Sequence, residues 1–182
     1  MEMTGEQLIP AAQAEVWRGL NDPEVLKACI SGCESIERLS DTEYSVVTTA
    51  AIGPVKAKFR GKLLLADLAP PNSYSLFFDG QGGAAGFGKG SAKVSLAAEG
   101  AGTRLSYAVK AQVGGKLAQI GSRLIDGVAK KLADDFFAAF NQKMAGPAPA
   151  AAEAGIEAAP GAAPLWWVVA IIAAMFLLAY FT

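Results

Sequence analysis

Alternating apolar and polar residues dominate the middle of the chain and predict a sheet of antiparallel strands. The turn-forming pairs Gly53-Pro54 and Pro70-Pro71 interrupt this alternation, so neighbouring strands are expected to connect by short turns in a meander. The candidate strands are 6–9, 35–39, 43–52, 55–68, 73–82, 86–98 and 103–113.

Two short helices are predicted before this sheet and one long helix after it. The first covers 14–20, and Asp22 and Pro23 are typical of the N-cap and first turn of the second. The long helix covers 116–144 and carries one apolar stripe: Leu117, Ile120, Leu124, Val128, Leu132, Phe136 and Phe140, widened by Ile125 and Phe137.

A long helix packed on a curved antiparallel sheet is an α+β architecture. Small residues on the inner face of the sheet would leave an apolar cavity beneath the helix. The candidates for such positions are Ala57, Gly90, Ala92 and Ala111.

The last 18 residues, 165–182, carry no charge and predict a single-pass transmembrane helix. At 1.5 Å per residue this helix would span about 27 Å, close to the thickness of a bilayer core. Of the 20 residues in 145–164, 17 are Ala, Gly or Pro, which predicts a linker. The expected organisation is therefore a folded domain 1–144, a linker 145–164 and a membrane anchor 165–182. We expect the domain to face the cytoplasm, since the N-terminal residues do not resemble a secretory signal.

The composition excludes several classes of function. The domain has 16 basic and 15 acidic residues, a balance that argues against a nucleic-acid binder dependent on overall charge. The chain has no histidine and two cysteines, Cys29 and Cys33, so a structural zinc site is not expected. The two thiols are too far apart for a redox CxxC pair and could be structural thiols or an oxidisable pair.

The glycine-rich run 83–90 nearly matches a phosphate-binding loop. It has Gly90 where that loop needs a hydroxyl, and it leads into a predicted strand. The phosphate-binding loop must instead open a helix. A strand that bends sharply or approaches a ligand closely is the better interpretation.

Basic residues occupy every second position of strand 55–68. Alternate residues share one face of a strand, so these basic residues predict a basic exterior for the sheet. Two lysines at alternating positions of strand 86–98 extend it. No acidic residue shares these positions within the strands, so the surface could dock anionic lipid or an acidic partner, or be an ordinary solvated face. The residues concerned are Lys56, Lys58, Arg60, Lys62, Lys89 and Lys93.

Several motifs together resemble the carbon monoxide dehydrogenase G-subunit family over about residues 1–144. They are Asn21-Asp22-Pro23, Ala28-Cys-Ile-Ser-Gly-Cys-Glu34, Gly53-Pro-Val-Lys-Ala-Lys-Phe-Arg-Gly61, the run Gly83–Gly90, and Val113–Asp126. The resemblance implies a helix-grip fold of the START-like (Bet v 1-like, SRPBCC) superfamily. It further implies a protein that recruits a molybdenum hydroxylase to the cytoplasmic membrane and could carry a quinone.

We expect a quinone or lipid to lie in the cavity between helix and sheet, where aromatic side chains give a ring flat surfaces to pack on. The candidate ligand-binding residues are Trp17, Phe59, Tyr74, Phe87 and Tyr107, with Leu117, Leu124, Val128 and Leu132 on the helix. No catalytic residue, metal site or covalently bound cofactor is expected.

Two alternatives remain open at the level of sequence. A pure membrane anchor would have a filled core and no ligand. A cyclase or hydrolase of the same fold would need an acid and a base in the cavity, for which Tyr74, Tyr107 and Arg104 are the candidates.

Overall fold

Seven antiparallel strands form one curved sheet in the computed structural model, which describes residues 1–146. The strands are β1 (Glu2–Ile9), β2 (Cys33–Arg38), β3 (Glu43–Ile52), β4 (Val55–Ala69), β5 (Ser73–Gln81), β6 (Phe87–Glu99) and β7 (Gly102–Gly114). The helices are α1 (Gln13–Leu20), α2 (Pro23–Cys29), α3 (Lys116–Gln119) and α4 (Ser122–Met144). The glycine-rich run forms a short 3-10 turn, Gly83–Ala85, and continues into β6 as the sequence predicted.

The strand order is β1-β7-β6-β5-β4-β3-β2, so β2 to β7 form the predicted meander and β1 completes the sheet beside β7. The first strand begins at Glu2 rather than at the predicted residue 6. Its early residues Thr4 and Glu6 are exposed, while Met3 and Gly5 are partly covered. A strand at the sheet edge with so few apolar residues carries a weak apolar signal, which explains the late predicted start.

The C-terminal helix is interrupted, contrary to the single helix predicted over 116–144. Gly121 has φ +99°, a conformation that L side chains rarely adopt, and it separates α3 from α4. The 23 residues of α4 are about 34 Å long.

The predicted apolar stripe of α4 is also only partly correct. Ile125, Phe137 and Phe140 are buried, but Leu124 is 46% and Leu132 40% exposed. At 100° per residue each four-residue step turns the stripe by about 40°, so Leu124 lies about 120° around the helix from Phe136. One straight helix therefore cannot bury the whole stripe against one surface.

The fully packed part of the core surrounds Phe140, beneath the last turns of α4. Ile9, Val16, Leu105 and Phe140 are at most 1% exposed there. The buried Thr103 hydroxyl donates a 2.8 Å hydrogen bond to the Ala11 carbonyl, which ties β7 to the segment before α1. The space between the sheet and the rest of the helix is less completely filled.

The outer face of the sheet is not the acid-free surface that the sequence predicted. Lys58 pairs with Glu34 at 2.7 Å, and Lys62 with Glu43 at 3.0 Å. Asp79 lies in register between Lys62 and Lys89. Alternation within one strand does not show which residues lie on its neighbours, so these acidic partners were missed. Within residues 1–146, Lys56, Arg60, Lys89 and Lys93 form no ion pair.

The predicted anchor 165–182 and nearly all of the predicted linker 145–164 lie outside the described residues. Within residues 1–146, no helix combines the length and the hydropathy needed to cross a bilayer.

Candidate functional site

An apolar cavity of about 260 Å³ lies between the inner face of the sheet and α4. Alternate residues of β4, β5 and β6 form its floor, because every second side chain points to the inner face of a strand. The helices close it from the other side. The lining includes Leu63, Leu65, Tyr74, Leu76, Ala92, Val94, Tyr107, Ala133, Phe136 and Phe137. We call this space the central cavity.

Tyr74 brings a polar group into the wall of the central cavity. Its side chain is buried, and its ring meets the ring of Trp17 edge to face at 5.6 Å. The Tyr74 hydroxyl makes no hydrogen bond to any residue within 1–146. A phenol hydroxyl is already neutral at physiological pH, and burial raises the pKa of this one further, so it remains a hydrogen-bond donor.

The other two tyrosines of this wall are held differently. The hydroxyl of Tyr44 donates a 3.2 Å hydrogen bond to the Asn21 carbonyl. The ring of Tyr107 stacks on Phe137 with centroids 5.3 Å apart. Tyr44 is therefore satisfied by the protein itself. The hydroxyls of Tyr74 and Tyr107 have no hydrogen-bond partner within residues 1–146, and that of Tyr107 lies against Gly5 of β1.

A second apolar cavity, of about 310 Å³, lies nearer the β3–β4 hairpin. We call it the end cavity. Its lining includes Val46, Ile52, Phe59, Gly61, Leu63, Phe78, Gly80, Gly88, Val113 and Leu117. Leu63 lines both cavities, so they are neighbours along the inner face of β4.

Missing side chains create part of the end cavity. Gly61, Gly80 and Gly88 are direct neighbours across β4, β5 and β6. A Cβ atom added at Gly80 would have its nearest neighbour at 3.7 Å, and one added at Gly88 at 4.0 Å. Gly80 and Gly88 therefore leave open space where side chains would fill the core, whereas a Cβ atom at Gly61 would lie 2.8 Å from the Asp79 carbonyl oxygen.

The structure brings only some of the predicted ligand-binding residues together. Tyr74 and Tyr107 line the central cavity, and Phe59 and Leu117 line the end cavity. Trp17 contacts Tyr74 from behind the wall. Neither cavity includes Phe87, Leu124, Val128 or Leu132 in its lining.

The small residues predicted to leave room for a cavity also differ in whether they line one. Ala92 lines the central cavity, whereas Ala57 and Ala111 line neither. Gly90 leaves no room, because a Cβ atom there would lie 2.8 Å from the Phe78 ring and closer still to the backbone of β7. Sequence reasoning also missed Tyr44 and the glycine row. Tyr44 and the buried Val46 are two residues apart in β3 and so lie on the same face of the strand. This spacing could have identified Tyr44 from the sequence.

The lining offers little for acid–base or metal chemistry. Within residues 1–146, no three Cys, Asp or Glu side chains lie close enough to hold a metal ion. Arg104 is not near Tyr74: it pairs with Glu6 and Glu99 on the outer face of the sheet. The set of Tyr74, Tyr107 and Arg104 considered for a cyclase or hydrolase is therefore not assembled.

The two cysteines lie away from the central cavity lining. Cys29 ends α2 and is buried, and Cys33 begins β2 and is partly buried. Burial raises the pKa of both thiols, although Lys143 opposes this at Cys29 and Lys27 at Cys33. A raised pKa disfavours the reactive thiolate, which supports a structural rather than a redox role.

Comparison with known proteins supports this fold. The family model of the carbon monoxide dehydrogenase G-subunit (CoxG) matches residues 5–145. A conserved protein from Geobacillus kaustophilus has 35% identity and a TM-score of 0.75, with 80% of this chain and 95% of that one covered. The two chains therefore share one fold over nearly the whole of that protein.

More distant solved structures share the fold alone. A protein from Thermus thermophilus has 18% identity and a TM-score of 0.61, covering 79% of this chain and 97% of that one. A START superfamily protein from Mycobacterium smegmatis has 13% identity and a TM-score of 0.61, with 79% and 96% covered. No curated protein matches the chain.

Proposed function

Because the chain belongs to the carbon monoxide dehydrogenase G-subunit (CoxG) family, we propose that it is a non-enzymatic accessory protein that holds a hydrophobic ligand in the central cavity. The single observation that carries the proposal is this apolar space with the unpartnered Tyr74 hydroxyl in its wall. An apolar pocket with a few well-placed polar groups is the usual form of a small-molecule site.

In this proposal the ligand is a quinone or a lipid. Apolar burial contributes about 25 cal/mol for each Å² of ligand surface removed from water, which favours an isoprenoid or acyl chain. The Tyr74 hydroxyl favours a ligand that also carries a hydrogen-bond acceptor, such as the carbonyl oxygen of a quinone. The ring would lie in the central cavity and the chain would extend past Leu63 into the end cavity.

The partner in this proposal is a molybdenum hydroxylase of the carbon monoxide dehydrogenase type. The support is that the chain belongs to a family whose name refers to that enzyme. The unpaired cations Lys56, Arg60, Lys89 and Lys93 remain candidates for docking this partner or anionic lipid, with Lys58 and Lys62 partly neutralised by their ion pairs.

A membrane location completes the proposal. The uncharged segment 165–182 would anchor the protein in the cytoplasmic membrane as a single-pass helix, with the folded body in the cytoplasm. The ligand site would then stay close to the bilayer in which quinones dissolve.

Replacing Tyr74 with Phe tests the polar part of the ligand site. We expect the substitution to weaken binding of menadione, a naphthoquinone, by roughly two- to tenfold, since a hydrogen bond contributes roughly 0.5–1.5 kcal/mol. Binding of 2-methylnaphthalene, which has a similar shape and no carbonyl, should not weaken. The readout is quenching of Trp17 fluorescence during titration of a chain that ends at residue 146.

Tyr107→Phe is the matched control, because it removes a hydroxyl from the same cavity and leaves Tyr74 unchanged. Equal loss of affinity for both ligands in Tyr74→Phe would indicate a change of shape and would contradict the hydrogen bond. Binding of neither ligand to the wild type would favour the alternative of a pure anchor.

Deleting residues 165–182 tests the predicted anchor. We expect the full chain to remain with the membrane fraction after a high-salt wash and the truncated chain to appear in the soluble fraction with its fold intact. The measurement is fractionation followed by circular dichroism of the soluble protein. Retention of the truncated chain in washed membranes would contradict the anchor.

A further inference from the structure

Apolar side chains are exposed at the end of the molecule where β3 turns into β4. Leu124 is 46% exposed, and Pro54 is exposed as well. The hairpin and the helical segment meet here, since a Cβ atom added at Gly53 would lie 2.8 Å from Leu124 Cδ2 and 3.6 Å from Ile120 Cγ2. We call this surface the apolar tip; Pro54 and Leu124 are its exposed residues, and the partly buried Ile52, Val55 and Ile120 complete it.

Three cations accompany the apolar tip. Lys56 follows it in β4, Lys116 begins α3, and Arg123 directly precedes Leu124 in α4. All three are exposed, and none forms an ion pair within the described part of the chain. Asp126 is an exposed acidic residue on the same turn of α4, so these residues together carry an excess of positive charge.

The outer face of the sheet mixes paired and unpaired cations, whereas none of the three cations at the tip has an acidic partner among the described residues. On the outer face of the sheet, Lys58, Lys62 and Lys110 each have an acidic partner within 3.2 Å. In α4, Lys130 and Lys131 pair with aspartates one turn further along the helix. Exposed apolar residues next to unpaired cations are the combination that binds an anionic bilayer, because apolar burial and electrostatic attraction add together.

We propose that the apolar tip docks onto a bilayer that contains anionic lipids. The apolar side chains enter the boundary between headgroups and acyl chains, and Lys56, Lys116 and Arg123 contact lipid phosphates. Lysine and arginine suit this position, because their apolar stems can lie along the boundary while their charges stay among the headgroups.

The tip is also the rim of the end cavity. Ile52 of the tip and Leu117 of α3 both line that cavity. A docked tip therefore places the opening of the apolar interior at the membrane, where a hydrophobic ligand can pass without crossing water. The inference concerns the body alone and depends neither on the predicted anchor nor on the identity of the ligand.

The predicted anchor does not conflict with this orientation. The body ends after α4, about 34 Å along the helix from the tip. The 20 residues of 145–164 can span at most about 70 Å when fully extended, which exceeds this length.

Flotation with lipid vesicles tests the proposal on the body ending at residue 146. We expect this body to float with vesicles of phosphatidylcholine and phosphatidylglycerol, and to float much less with phosphatidylcholine alone or at high salt. Replacing Lys116 and Arg123 together with Gln should lower the partition coefficient about 25-fold, at roughly fivefold for each cation near the surface. Leu124→Asn should lower it several-fold, since it removes an apolar anchor.

Two matched controls separate the tip from other surfaces. Leu8→Asn changes an exposed apolar residue of β1, and Lys143→Gln changes an exposed cation in the last turn of α4, at the opposite end of the helix from Leu124. Neither should alter flotation. A Leu124→Trp variant adds a direct readout, because brominated lipids should quench the fluorescence of the introduced tryptophan far more than that of Trp17 in the wild type.

The expected set of results is flotation that depends on anionic lipid, on Leu124 and on the two cations. Three outcomes would overturn the proposal: no flotation of a folded body, flotation of the tip variants equal to that of the wild type, or a loss caused by Lys143→Gln instead. If the tip instead binds an acidic protein, the folded body would not float with the vesicles. Thermal unfolding of each variant ensures that only folded proteins are compared.

Discussion

Replacing Ala92 with Phe is expected to abolish ligand binding in the central cavity. Ala92 lies in β6 on the inner face of the sheet and is 8% exposed. Its side chain lines the central cavity, so a phenyl ring there would occupy the space that a ligand ring needs. We expect menadione affinity to fall to below detection by quenching of Trp17 fluorescence.

The same substitution measures how empty the cavity is. Adding a ring to a well-packed core costs typically about 1–3 kcal/mol, whereas filling a real cavity offsets that cost. We therefore expect the free energy of unfolding, measured with urea, to change by less than about 1 kcal/mol in Ala92→Phe. A large loss would indicate a packed core and would favour a protein without a ligand.

Ala97→Phe is the matched control for this experiment. Ala97 belongs to the same strand but is exposed, so the added ring lies outside the cavity. Menadione binding and stability should both stay close to the wild type. Unchanged binding in folded Ala92→Phe would place the ligand elsewhere and contradict the central cavity as its site.

Replacing Phe140 with Ala is expected to cause the largest loss of stability. Phe140 is 0% exposed and stacks on Phe136 with centroids 5.8 Å apart. Truncating a buried phenylalanine costs roughly 3–5 kcal/mol, a large share of the roughly 5–15 kcal/mol that stabilises a typical domain. We expect the urea midpoint to fall accordingly, or the protein to unfold.

Leu132→Ala provides the comparison on the same helix. Leu132 is 40% exposed, so truncating it to Ala should cost clearly less than truncating Phe140, roughly 1 kcal/mol. The sequence pattern assigns Leu132 and Phe140 to one stripe and would predict similar effects. Equal losses in the two variants would show that Leu132 is covered in solution and would contradict the geometry of α4.

The sequence predicted the order of the elements well, because local chemistry sets it. Strand alternation, the turn at Gly53-Pro54 and the Asp22 cap required no information beyond a few neighbouring residues. Every strand except β1 lies within two residues of its predicted bounds, and the cap forms through a 2.9 Å hydrogen bond from Glu24 N to Asp22 Oδ1. The motifs also identified the family, which its model confirms over residues 5–145.

The candidate site was only partly predictable. Strand parity placed Tyr74, Tyr107 and Ala92 correctly on the inner face, since a period of two fixes the face of each residue. It could not show that the Phe78 ring fills the space over Gly90, or that Gly61, Gly80 and Gly88 come into register. Those facts depend on how separate strands align, and no single strand carries that information.

Periodicity and local motifs are enough to predict the set of elements, the faces of the strands and the family. Which surfaces stay open depends instead on how the whole chain packs. Gly121 breaks the helix, and α4 then buries Ile125, Phe137 and Phe140 while Leu124 and Leu132 face solvent. Glu34 of β2 and Glu43 of β3 pair with Lys58 and Lys62, while Lys56, Lys116 and Arg123 remain unpaired among the described residues. Cavities and charge pairs arise where distant segments meet, and that meeting is a property of the packed chain as a whole.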